Sequence, residues 1–243
     1  MTKAAQCELR RMMRRSTRMT ETMPAELAEN LIEFCENRER VYLLLSRCFE
    51  TEIDENFAAD LASRAELQSD DEALVQGFAA LKGDLADSDE AKLEQLAVVF
   101  NRVFFGMGPR SAQKAFPYES VYTSEGGLMM QDAYSQVLGL YREAQFAKNP
   151  DFKEPEDHLA VELAFLAKLC ERAVEALRAG DEDAAEASLR DQLSFVREHL
   201  LNWVPLFAKD MRAAAEGGFY EHLANFTEAY LQADAEAVAE VVE

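Results

Sequence analysis

Between residues 24 and 49 the apolar positions Leu27, Leu31, Phe34, Val41, Leu45 and Cys48 recur largely at three- and four-residue steps, the spacing that gathers side chains on one face of an α-helix. Pro24 suits a first turn, where a missing N–H costs nothing, so a long amphipathic helix is predicted from there. Two shorter helices are predicted over 54–67 and 71–85. Residues 89–105 carry Leu93, Leu96, Phe100 and Phe104 at the same spacing behind an acidic start, which favours the positive end of a helix dipole. Gly106 ends that helix. The period then disappears: residues 106–124 hold two of the six prolines and the aromatics Phe116, Tyr118 and Tyr122, and read as a loop on a rigid scaffold, where binding groups tend to lie.

Helical spacing returns over 131–146, with Tyr134, Val137 or Leu138, and Tyr141 on one side, and Asn149-Pro150 closes it. From Pro155 onward Leu159, Leu163, Leu166, Cys170, Ala173 and Leu177 form one stripe and Val161, Phe165 and Leu169 a second. The first half of that helix is therefore expected to be buried on most sides. Glu154, Glu156 and Asp157 stand at its start, where Asp157 is expected to cap free backbone N–H groups. Further helices are predicted over 181–203, 219–231 and 236–242, with Pro205 interrupting between the first two.

With 243 residues, 49% of them hydrophobic, the chain can bury a sizeable core, and scarce Gly (10) and Pro (6) argue against a turn-rich β fold. The expected architecture is all-α: one globular helical domain over 24–243, with loop 106–124 and a hinge segment at 150–158, preceded by a basic leader at 1–23 expected to be disordered. The net charge of −21 is unevenly placed. Residues 1–24 carry six basic and two acidic side chains, leaving 19 basic and 44 acidic in the rest. Such a body repels nucleic acid and anionic lipid and attracts basic peptides. Arg10-Arg11 and Arg14-Arg15 are followed by a polar stretch, without the apolar run of a secretory signal, and no window approaches the roughly 20 apolar residues of a membrane span.

Cys7, Cys35, Cys48 and Cys170 show no paired spacing and read as reduced thiols, the last three on inward helix faces. His158, His199 and His222 are scattered, and none has Glu three residues earlier, so neither a metal site nor a di-iron bundle is expected. Phosphate-binding glycine loops are absent, and no nucleophile, base and orienting group stand together. No catalytic residue is assigned.

Three segments in order carry a family likeness: Val103-Phe104-Phe105-Gly106; then Pro117-Tyr118-Glu119-Ser120-Val121-Tyr122-Thr123-Ser124; and Glu154-Pro155-Glu156-Asp157-His158-Leu159. Together they resemble the TorD/DmsD/NarJ family of chaperones. The resemblance implies an all-helical cytoplasmic protein, monomeric or dimeric. Its partners would be the twin-arginine signal peptide and the apo form of a molybdoenzyme of the dimethyl-sulfoxide-reductase type, whose cofactor insertion it assists and whose export it delays. It implies no catalysis and no cofactor beyond weak guanine-nucleotide binding. By the same likeness Glu154 and Pro155 belong to a hinge. Val103, Phe104, Pro117, Tyr118, Ser120, Tyr122, Glu156, Asp157 and His158 stand where the peptide is recognised. A carboxylate such as Asp157 or Glu156 would receive a guanidinium, and Val103, Phe104 and Tyr118 an apolar segment. The chain departs from the family in having Tyr118 where a larger aromatic is common, and in Arg110 and Lys114, which would repel a dibasic ligand. The other readings are a helical adaptor for a partner that is not exported, and a nucleotide-dependent regulator.

Overall fold

Pro24, with extended backbone, opens helix α1 (Ala25–Glu50), whose inward face carries Leu27, Leu31, Cys35, Tyr42, Leu45 and Cys48. In the computed structural model, which describes residues 23–107 and 114–243, α1 lies along α7 (Leu159–Ala179) in the most extensive helix pair. As its two apolar stripes predict, α7 is buried on most sides through its first half. The segments between them are α2 (Glu55–Ser63), α3 (Glu72–Leu85), α4 (Glu90–Phe105), α5 (Glu119–Thr123) and α6 (Asp132–Glu143). Beyond α7 come α8 (Glu182–Phe195), a wide π-helical turn (Val196–Leu200), α9 (Val204–Ala215) and α10 (Phe219–Val242). The fold is all-α; the sole β-type pairing among the described residues is an isolated bridge between Tyr118 and His158. Residues 1–22 of the expected leader, Cys7 among them, and Arg110 lie outside the described residues.

The elements begin and end for local reasons. Asp54, Asp71, Asp89 and Asp181 each cap the helix that follows by accepting a backbone N–H. Gly106 (φ 63°) and Gly180 (φ 72°) end α4 and α7 in the left-handed conformation that glycine adopts without a Cβ penalty. The core centres on an aromatic cluster in which Phe49, Phe104, Phe207 and Tyr220 bring α1, α4, α9 and α10 together at ring separations of 5.8–6.3 Å. Cys35, Cys48 and Cys170 are buried free thiols.

Four sequence expectations are corrected. The helix expected over 54–67 stops at Ser63, where Arg64 turns extended and pairs with Asp60. Residues 219–242 form one helix rather than two, and Asp234, between the two predicted segments, faces inward. Its carboxylate accepts from Arg38 at 2.6 and 3.0 Å and from Tyr42 at 2.5 Å. The 181–203 helix is α-helical only to Phe195 and then widens into the π turn. Finally, the helix expected from Pro155 starts at Leu159.

Candidate functional site

The two central motifs meet. Tyr118 and His158 face each other in the antiparallel bridge: the Glu119 N–H donates to the Asp157 carbonyl at 3.0 Å, and the Leu159 N–H to the Pro117 carbonyl at 2.9 Å. Asp157 adds a third link, accepting the Ser120 N–H on Oδ2 at 3.0 Å. It therefore caps the first turn of the short helix α5, which lies inside the stretch that sequence reads as loop, and not the helix that follows it in the chain. The cap of α7 is His158, whose Nδ1 accepts the Ala160 N–H at 3.1 Å. This fixes the neutral tautomer with the proton on Nε2. Burial, reinforced by Lys148, pushes the imidazole pKa down from 6.5 to about 3, so the ring stays neutral at physiological pH.

Around this junction the side chains form a tight shell. Tyr118 donates its hydroxyl to Glu154 at 2.6 Å, and its ring meets His158 edge to face at 5.1 Å. Phe152 also packs edge to face with the His158 ring, at 5.0 Å. Ser120 Oγ accepts the Gln131 N–H at 3.0 Å, which ties α5 to the start of α6. Lys148 contributes a hydrogen bond to the Glu154 carbonyl and an ion pair with Glu156 at 3.5 Å. Tyr122 stacks on Trp203 at 5.6 Å and reaches Asp210.

Glu119 extends the unit in the opposite direction. Its buried carboxylate meets His199 Nδ1 and Asn202 Nδ2, each at 3.0 Å, so α5 is clamped between the hinge segment and the π turn. Extra width in a helix re-aims side chains, and π turns recur at functional positions; here the turn presents His199. Glu162, one helical turn after His158, is fully buried. Burial, then the Glu119 and Asp157 carboxylates, drives its pKa well above the usual carboxylate range, so it avoids a bare charge in the interior by holding its proton.

Of the residues singled out from sequence, Val103, Ser120 and Asp157 are completely buried. Phe104, Pro117, Tyr118, Glu154 and His158 come together around a cavity of about 70 Å³. Glu156 and Pro155 are half-buried on the hinge segment, and Tyr122 lies on the far side of α5 toward α9. The cavity is walled further by Phe49, Phe100, Phe105 and Phe152 and carries a second carboxylate, Glu50. Lys114 is exposed, its ammonium over the Phe116 ring at 4.6 Å. Sequence reasoning missed Glu50, Glu119, Glu162 and His199 as part of this assembly. Glu162 left a signal, the one acid in the first half of α7, which is otherwise apolar on most sides. Glu119 lay within a recognised motif without a role.

Residues 65–209 match the family model described as nitrate reductase delta subunit, a span that contains both motifs and the π turn. The chaperone protein TorD of Photobacterium profundum is 34% identical over 219 residues, covering 85% of this chain and 96% of its own. The chain belongs to the TorD/NarJ-like family of redox enzyme maturation chaperones. A second TorD, from Shewanella pealeana, is 30% identical over 218 residues, covering 82% of this chain and 88% of its own. A solved chain from Archaeoglobus fulgidus aligns over 80% of this chain and 93% of its own, with a TM-score of 0.49 and 21% identity. Members of the TorD/NarJ-like family are chaperones and not enzymes. Among the described residues, no helix is long and apolar enough to cross a membrane, and no group of His, Cys, Asp and Glu side chains is arranged to hold a metal ion.

Proposed function

We propose that this chaperone works in the cytoplasm on a molybdoenzyme of the dimethyl-sulfoxide-reductase type, binding its twin-arginine leader, holding the apo-enzyme for cofactor insertion and delaying export. It does so without a resident cofactor. The observation that carries this reading is the junction of the two motifs beside an aromatic cavity edged by carboxylates. A leader arginine entering the cavity would meet Glu50 and Glu154 for charge-assisted hydrogen bonds, and the faces of Phe152 and Tyr118 for cation–π contact. The leader's apolar segment would continue over Phe105 and Met107, which are 46% and 60% exposed at the end of α4.

In this account Val103, Ser120 and Asp157 act by position. Buried and bonded, they hold Phe104, Tyr118 and Glu154 in place, and the guanidinium goes to the half-buried carboxylates of Glu50 and Glu154 instead of to Asp157. Glu154 and Pro155 sit on a link restrained by Tyr118 and Lys148, so movement of that link would open the cavity.

Titration calorimetry with a twin-arginine leader peptide, and with the same peptide carrying glutamine at both arginines, tests the reading. The first is expected to bind, and the second at least about tenfold more weakly, a difference of about 1.4 kcal/mol. Equal affinity for the two peptides would contradict arginine recognition and favour an adaptor that reads only an apolar helix.

A further inference from the structure

An open groove of about 620 Å³ lies between α6, α7, α8 and the π turn, and it shares no lining residue with the aromatic cavity at the motif junction. Its two walls carry the same pattern. Gln136, Gly139, Leu140 and Glu143 line it from α6, and Asp191, Ser194, Phe195 and Glu198 from α8 and the π turn. Both sets are spaced i, i+3, i+4, i+7, the positions that share one helical face. Each wall therefore has polar residues at its ends and a small and an apolar residue between them. Phe165 of α7 lies at the base, its ring 4.9 Å from that of Phe195.

The rim carboxylates Glu143, Asp191 and Glu198 are exposed. Glu198 accepts the Ser194 hydroxyl at 3.0 Å, and among the described residues no cation forms an ion pair with any of the three. The nearby cations are used elsewhere: Arg172 donates to the Ala144 carbonyl, Arg190 pairs with Glu186 and Arg197 with Glu243. Gly139 is a second feature that the fold itself does not account for. It lies inside α6, where glycine lowers stability relative to alanine. Its backbone is not left-handed, and beyond its own helical neighbours no heavy atom lies within 4 Å of the place a Cβ would take. Its missing side chain leaves the α6 backbone open to the groove, the condition for close approach by another chain.

We propose that this groove is a second docking surface, which receives one basic amphipathic α-helix of a protein partner. The partner's arginine or lysine side chains meet Glu143, Asp191 and Glu198, its apolar face lies on Leu140, Phe165 and Phe195, and its backbone approaches α6 at Gly139. A helix suits the groove where an extended strand does not. The walls are helices whose backbone groups are bonded internally, so a strand would find no ladder, whereas a helix satisfies its own N–H and C=O groups and repeats its contacts at the spacing of the walls. Charge complementarity favours a basic partner over a second copy of this chain, which brings a net charge of −21 of its own. The surface is separate from the leader cavity, and the proposal does not rest on leader recognition.

The probe is an end-capped, dye-labelled peptide of alanine, leucine and arginine, about 16 residues or roughly 24 Å of helix, with leucine and alanine on one face and arginine on its flanks. Fluorescence anisotropy with the full-length protein is expected to show saturable binding. A peptide of the same composition, shuffled so that no apolar face forms, should bind at least about tenfold more weakly. Gly139→Leu puts a side chain into the groove and should weaken the probe by at least about tenfold, while melting at or above the parent's temperature because leucine is the better helix former. Asp191→Lys/Glu198→Lys, both on exposed helix surface, should weaken it as much, with thermal melting confirming that the variant folds. Gly139→Leu should keep the parent's affinity for a twin-arginine leader peptide. Probe binding by a parent protein that shows no leader affinity would support the groove and overturn the leader reading alone. No saturable binding, parental affinity in Gly139→Leu or in the charge-reversed variant, or equal binding of the shuffled peptide would each overturn the proposal. Sedimentation velocity showing a dimer of the parent that Gly139→Leu abolishes would give the groove to a second copy and overturn it as well.

Discussion

Asp157 does at residue scale what its place in the sequence conceals. Its carboxylate and carbonyl together take two consecutive N–H groups of α5, from Ser120 and Glu119, and no solvent reaches it. Asp157→Ala leaves the Ser120 N–H buried without a partner, a loss of about 1–3 kcal/mol, measurable by urea denaturation. Asp157→Asn keeps an acceptor and should lose less. The neighbouring titratable groups give the fold a pH dependence of opposite signs. His158 has a folded pKa of about 3 against an ordinary 6.5, so its contribution is complete above about pH 6.5 and is lost as pH falls toward 3, where the unfolded chain takes up a proton that the folded one refuses. Glu162 behaves inversely: its folded pKa lies well above 4.5, so stability is lost as pH rises past 4.5 and the unfolded chain ionises first. Glu162→Gln should therefore be more stable than the parent at pH 7, with the gap closing below about pH 4.5. Denaturation midpoints that differ by the same amount at every pH would contradict this.

At the scale of elements, α5 is short for its importance. Five residues hold the hinge segment by Asp157, the π turn by Glu119, α6 by Ser120 and α9 by Tyr122. The helices with long apolar stripes were legible in sequence because burial of a face imposes the 3.6-residue period. A five-residue helix imposes no detectable period. Its placement comes from side chains 37 and 80 residues distant in sequence, so it read as loop. The same cause explains Asp157 and His158: local preference favours Asp as a cap, and a tertiary partner at Ser120 drew Asp157 away and left the cap to His158. Asp234 is held inside α10 in the same manner, as a polar residue whose partners Arg38 and Tyr42 lie on α1. That buried pair supplies a test at this scale. Asp234→Ala strands the Arg38 charge in the core and should cost about 3–5 kcal/mol, whereas Arg38→Met/Asp234→Leu should recover most of it. A double-mutant cycle in urea measures both.

The whole molecule is an acidic body around a neutral aromatic core, and its charge was readable from composition alone. What composition could not locate is the point at which that charge is used, because the cavity joins Glu50 of α1 to Glu154 of the hinge and to rings from α4. Leader affinity should fall between about 0.01 M and 0.15 M salt as the Debye length shrinks from about 30 to 8 Å. Unchanged affinity in calorimetry would assign binding to apolar contact alone. The most direct test of the account compares leader affinity for Glu50→Gln, Glu154→Gln and Asp157→Asn, each shown by thermal melting to be folded at the assay temperature. Each of the first two should weaken binding by about 1.5–3 kcal/mol, the range for a hydrogen bond to a charged group, while folded Asp157→Asn binds as the parent does. Parental affinity in both glutamate variants, or a selective loss in Asp157→Asn, would contradict it.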